Sequence, residues 1–124
     1  MKRGADRHEE ARRRATRQRI ACEAARLMAT QGVQDPREAT RRAARQIGET
    51  GEQGWPAQEE VIAQLRDYQR LFQADTQPAT LRRRREAALE AMGFLAAFEP
   101  RVYGAVLDGS ANGDSPIRLQ VFSE

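Results

Sequence analysis

The apolar residues of this chain keep helical spacing almost to residue 99, and then the period changes once. Within the closing stretch Gly104 to Glu124, Ile117, Leu119 and Val121 alternate with Arg118, Gln120 and Phe122. Strict alternation of this kind belongs to an extended strand, whose successive side chains point to opposite faces. Ahead of the strand stand Gly104, Gly109 and Gly113, in a run of Asp-Gly, Asn-Gly and Asp-Ser-Pro that is turn chemistry throughout. The apolar, partly β-branched segment Val102–Leu107 suits a buried strand before that loop, or the loop's edge. The expected class is therefore α+β, with a helical segment over 1–99 and a strand–loop–strand element over 100–124.

The helical segment reads as about four helices. Residues 1 to about 8 are expected to fray, and a first helix is expected from Glu9 to about Gln31, with Ile20, Ala24, Leu27 and Met28 on one stripe. Gly32 suits its C-terminus, because glycine accepts the left-handed conformation that closes a helix. Asp35 and Pro36 open a second helix as N-cap and first-turn proline. Its narrow stripe is Ala39, Ala43 and Ile47, and it ends at Gly48. A glycine-rich loop, residues 48–54, leads to Trp55-Pro56 and a third helix carrying Val61, Leu65, Tyr68 and Phe72. Asp75 or Thr76 caps a fourth, whose packing face is Leu81, Ala88, Leu89, Met92, Leu95 and Ala96, and Pro100 ends it. The consecutive arginines Arg82, Arg83, Arg84 and Arg85 turn about 100° per residue on a helix, so they cannot share one phosphate track and read mainly as a solvated face.

Charge is uneven. Residues 1–50 carry 13 basic and 7 acidic side chains, and residues 51–124 carry 8 and 11, which together give the net charge of +3. A basic first half permits contact with nucleic acid or an acidic partner without requiring it. The single cysteine, Cys22, excludes an intramolecular disulfide and fits a reducing compartment. It lies off the first helix's stripe and reads as a small packing side chain. No apolar run reaches the ~18 residues of a membrane span, and no signal-peptide pattern follows the basic start. The chain is expected to be soluble and cytoplasmic, with no membrane partner.

The terminal stretch resembles the signature of DNA-polymerase-β-like nucleotidyltransferases. In that family Gly-Ser stands at a strand end, a second glycine follows, and a loop leads to Ser-Asp-x-Asp on the next strand. Gly104 and Gly109 take the glycine positions, Ser115 the serine before the carboxylates, and Ile117, Leu119, Val121 and Phe122 the apolar strand positions. The helices also look like those of a small bacterial group in which a helical segment precedes such a domain, through residues 25–33, 39–47 and 65–72. The resemblance covers most of the chain, and its helical motifs are weakly specific.

The resemblance implies a chemistry whose decisive residues differ here. Two carboxylates at i and i+2 on one strand would hold Mg²⁺ against nucleotide phosphates, and the metals would bridge nucleophile and leaving group. Ala105 stands where the phosphate-binding serine belongs, and Pro116 and Arg118 stand where the two carboxylates belong. Asp108 and Asp114 are six residues apart on the loop and do not replace them. The resemblance thus implies a divergent, catalytically inactive member with no catalytic or metal residue. It would have no cofactor, with Mg²⁺ entering only if further sequence or a partner completed the domain. The candidate nucleotide- or phosphate-binding residues are Gly104, Gly109, Ser110, Ser115 and Arg118, the last supplying side-chain charge in place of metal charge. An ordinary turn joining two strands would explain the same loop.

Two other classes compete. Residues 17–33 resemble the first helix of tetracycline-repressor-type regulators, but the acidic, glycine-rich residues 48–60 that follow cannot form a base-reading helix. Nucleic acid is accordingly not the expected partner. The third reading is an interaction module. A two-strand element is marginal alone and its free edge invites pairing, with a second copy or another chain as partner.

Overall fold

The computed structural model describes residues 2–49 and 51–122. Met1, Thr50, Ser123 and Glu124 lie outside the described residues, and with them one position of the expected glycine loop and the last two of the expected terminal segment. The chain is mainly helical α+β. Its elements in order are α1 (Lys2–Thr30), α2 (Pro36–Ile47), a 3₁₀ turn (Glu52–Gly54), α3 (Gln58–Phe72), α4 (Gln77–Phe94), a second 3₁₀ turn (Ala96–Phe98), β1 (Arg101–Tyr103), α5 (Ala105–Asp108) and β2 (Arg118–Gln120). The chain divides into two compact units, Met1–Tyr68 and Gln69–Glu124, and the division falls inside α3.

In the first unit the expected stripes form the core. Ile20, Ala24, Leu27 and Met28 of α1 are buried with Ala39, Ala43 and Ala44 of α2 and with Val61 and Leu65 of α3. Alanines at many of these positions let helix backbones approach closely, while full burial of each larger aliphatic side chain contributes about 1.5–3 kcal/mol. α1 starts at Lys2 instead of Glu9, so the expected fraying of the first residues is not observed. Ala5 and the long-chain Lys2, Arg3 and Arg7 are good helix formers, and Gly4 is a single weak position that does not break the helix.

The signals that bound α2 act as expected. The Asp35 carboxylate accepts the Arg37 amide at 2.9 Å. Gly48 is left-handed at φ +91°, its amide donates to the Arg45 carbonyl, and the Glu49 amide donates to the Ala44 carbonyl. Together these form a Schellman closure. Cys22 is exposed and its thiol donates to the Gln64 side-chain oxygen at 3.3 Å.

In the second unit a small cluster of Ala88, Val106 and Ala111 is buried, with Leu81, Val102, Ala105 and Ile117 packed against it. β1 and β2 pair antiparallel, with Arg101 opposite Gln120, Val102 opposite Leu119 and Tyr103 opposite Arg118. The segment 102–107, expected as a strand or loop edge, is strand only to Tyr103 and continues as a helical turn. Gly104 sits at φ +77°, ψ −150°, a conformation essentially confined to glycine, and it ends the strand. The Asp108 and Gly109 amides then donate to the Gly104 and Ala105 carbonyls. The second strand is likewise shorter than the predicted 117–122. Three expected core residues are exposed, Phe72 and Leu89 at 70% and 68% and Ala96 as well, because their stripes run on past the elements available to cover them.

Candidate functional site

The glycine loop between β1 and β2 is built from local signals. Gly104 opens α5 and Gly109 closes it at φ +93°. Beyond it the Ser110 amide donates to the Asp108 carboxylate at 2.8 Å, the Asn112 amide to the Ser115 hydroxyl at 2.9 Å, and the Asp114 amide to the Asn112 side-chain oxygen at 2.9 Å. The Ala111 and Ser115 amides donate to the Ala105 and Asn112 carbonyls. These are the self-contained turns that Asp, Asn and Ser make with neighbouring backbone.

The carbonyl side of the loop is held from α3 and α4. Gln69 donates to the Ser110 carbonyl at 2.6 Å. One Gln77 amide nitrogen donates to both the Gly109 and Ala111 carbonyls, at 3.0 and 2.9 Å. Arg84 reaches the Gly113 carbonyl at 2.7 Å, and the Arg85 guanidinium spans the Val106 and Leu107 carbonyls at 2.9 and 3.1 Å. Arg82 pairs with Glu86 and Arg83 with the Thr80 hydroxyl. The arginine run is therefore only partly a solvated face, because two of its members fasten the loop. Gln69, Gln77, Arg84 and Arg85 were not singled out by sequence as loop partners. Each is polar, and each bonds a residue 21 or more positions away, so no local spacing marks them.

The candidate residues take different places. Gly104 and Gly109 bound α5, and the Gly109 carbonyl is held by Gln77. Ser110 is 1% exposed and its hydroxyl has no hydrogen-bond partner among the described residues. Ser115 is buried, and its hydroxyl also donates to the Asn112 side-chain oxygen at 3.2 Å. Arg118 is exposed and lies beside Gly104, where a Cβ would stand 3.1 Å from the Arg118 Cδ. Gly104 and Arg118 are thus brought together, while Ser110 faces the interior. Among the described residues, no group of three or more His, Cys, Asp or Glu side chains is placed to hold a metal ion.

Elsewhere, a shallow cleft on the first unit includes Arg19, Cys22, Glu23, Arg26, Gln46 and Tyr68 in its lining and none of the candidate residues. Arg26 grips Glu23 there through two hydrogen bonds. Those bonds, with the attraction of opposite charges, hold the Glu23 carboxyl below and the Arg26 guanidinium above their ordinary ranges.

No family model, curated protein or solved structure matches the chain.

Proposed function

We propose that the chain is a non-catalytic, nucleotidyltransferase-like interaction module. Its second unit completes its core by pairing with a strand from another polypeptide chain. One observation carries this reading. Among the described residues, the large apolar side chains most exposed to solvent (Leu71, Phe72, Leu89, Phe94, Phe98, Tyr103, Leu107, Val121 and Phe122) all belong to the second unit. Among the described residues, the fully buried apolar cluster of that unit is Ala88, Val106 and Ala111, with Leu81, Val102, Ala105 and Ile117 partly buried against it. A unit with so much apolar surface outside and so little inside is expected to bury more of it on a partner. The two-stranded sheet leaves an outer edge on each strand, whose unpaired backbone groups are a template for a further strand.

The nucleotidyltransferase-like part of the proposal rests on the order strand, glycine turn, loop, strand, and its lack of catalysis on Ala105, Pro116 and Arg118 at the decisive positions. A nucleotide or phosphate held by Gly104, Gly109, Ser110, Ser115 and Arg118 is the second reading, favoured by the exposed Arg118 beside Gly104. It is the weaker one, because the amides of residues 108–112, 114 and 115 already donate within the loop.

Light scattering on the eluting chain, from low to high micromolar, together with binding of an apolar-surface dye tests the pairing. A mass above the monomer is expected, or a monomer that binds dye strongly through its uncovered face. A monomer at every concentration that binds no dye would end the reading. Calorimetry with ATP separates the two readings, since heat that requires Mg²⁺ would restore the enzymatic one.

A further inference from the structure

The hairpin has a face as well as an edge, and its residues form a pattern that the pairing reading does not use. Directly opposed residues of an antiparallel pair point to the same side of the sheet. The register therefore puts Arg101 and Gln120, and Tyr103 and Arg118, on one face, with Val102 and Leu119 on the other. Phe122 joins the first face, since the Arg101 guanidinium lies over its ring, 5.5 Å from the centroid. All five side chains are exposed, and Tyr103 and Phe122 each keep 46% of their surface in solvent. Val102, on the opposite face, packs against the buried cluster of the unit.

The arginines of this face differ from the others in the second unit. Arg82, Arg83, Arg84 and Arg85 each have an acceptor or an ion-pair partner, and Arg70 is also engaged. The side chains of Arg101 and Arg118 have neither a hydrogen bond nor an ion pair among the described residues, that of Arg101 making only its ring contact. Among the described residues, two cations without an ion pair thus stand between two aromatic rings, and no carboxylate belongs to the face.

We infer that this face binds single-stranded nucleic acid, bases stacking on Tyr103 and on the Phe122–Arg101 pair, and phosphates neutralised by Arg101 and Arg118. The chemistry fits on both counts. Aromatic rings and guanidinium planes stack unpaired bases regardless of sequence, and uncompensated arginines on the same face meet the backbone charge between them. A duplex hides the faces of its bases, so the platform discriminates against it. A strand added at the sheet edge bonds in the plane of the sheet and leaves the perpendicular face open, so the inference does not depend on the pairing reading.

Fluorescence anisotropy with the full chain and labelled oligothymidylate tests it, with duplex of equal length, ATP and polyglutamate as competitors. Oligothymidylate is expected to bind most tightly, with a salt-sensitive affinity. Phe122→Ala and Tyr103→Ala should each weaken binding roughly tenfold. The double variant Arg101→Gln, Arg118→Gln should flatten the logarithmic salt dependence by about 1.4, two contacts at about 0.7 each. All four positions are exposed, and circular dichroism checks that each variant folds. Several outcomes overturn the inference: no binding, equal competition by duplex or polyglutamate, or binding that survives all three variants, which would place it on the basic first helix. ATP competing as well as an oligonucleotide of equal phosphate content would also overturn it in favour of a mononucleotide site.

Discussion

Gln69 offers the sharpest test of how the loop is held. Its side chain is 3% exposed and its amide nitrogen donates to the Ser110 carbonyl at 2.6 Å across 41 positions of sequence. Methionine has nearly the same length, shape and helix propensity, so Gln69→Met removes the donor with little change in packing or helix formation. The Ser110 carbonyl then loses its buried partner, which costs about 1–3 kcal/mol. Gln69→Glu keeps the shape but places a carboxylate against that carbonyl. It cannot donate while ionised, and it adds the cost of a buried charge. The expected order of stability is glutamine above methionine above glutamate. Burial would raise the introduced carboxyl above the ordinary range, so the glutamate variant should recover towards low pH, where it protonates and can donate.

A single melting temperature is a poor readout for a chain that divides into two units. Hydrogen exchange over residues 105–111 reports the clamp directly. With about 1.4 kcal/mol per decade, a loss of about 1–3 kcal/mol speeds exchange there about 5- to 150-fold. The amides of Asp108, Gly109 and Ala111, each donating to a backbone carbonyl, are the ones to follow. Unchanged exchange in the methionine variant would refute the clamp, and a glutamate variant as stable as wild type at neutral pH would refute the assigned donor direction.

Gly104→Ala should destabilise the hairpin by about 1–3 kcal/mol, because alanine is strained at φ +77°, while its Cβ, 3.1 Å from Arg118 Cδ, asks only a small shift of that exposed side chain; urea titration followed by tyrosine fluorescence measures it. Ser110→Ala should be neutral or stabilising by about 1 kcal/mol, since it removes a buried hydroxyl without a partner among the described residues, and a loss above that in the same titration would show that the hydroxyl is bonded. The Glu23 carboxyl is lowered chiefly by its hydrogen bonds to Arg26. Its contribution is therefore present above the unfolded carboxylate value of about 4.3 and lost as pH falls through the folded one. Glu23→Gln should accordingly flatten the acid limb of stability measured by circular dichroism between about pH 5 and 3.

The helices of the first unit were legible because their information is local. Ile20, Ala24, Leu27 and Met28 recur at the period of one helix face, and Asp35, Pro36 and Gly48 act within a turn of where they stand. The second unit was less so. The apolar run Val102–Leu107 looks like a strand by composition, but the backbone angles of Gly104 break it, and composition does not encode which way a glycine bends. Leu89 and Phe72 continue real stripes, yet whether a stripe is covered depends on neighbouring elements. Gln69, Gln77, Arg84 and Arg85 lay beyond reach for the same reason, since their acceptors are backbone carbonyls of a distant loop.

That clamp also sharpens what a glycine loop beside arginines can mean. A loop that cradles phosphate turns its amides toward the anion, and arginines add donors on the same side. Here many of the loop amides are consumed by its own carbonyls, carboxylate, amide oxygen and hydroxyl, while Arg84, Arg85, Gln69 and Gln77 donate to the carbonyls that remain. The same residue types are wired in the opposite sense, with side-chain donors meeting the negative pole of the backbone instead of a ligand. An anion recruiting Arg84 or Arg85 would have to release the Gly113, Val106 or Leu107 carbonyl, whereas the Arg101 and Arg118 side chains have no such bond to break among the described residues. Any anion this unit takes up should therefore be read first at the hairpin face, and only then at the loop.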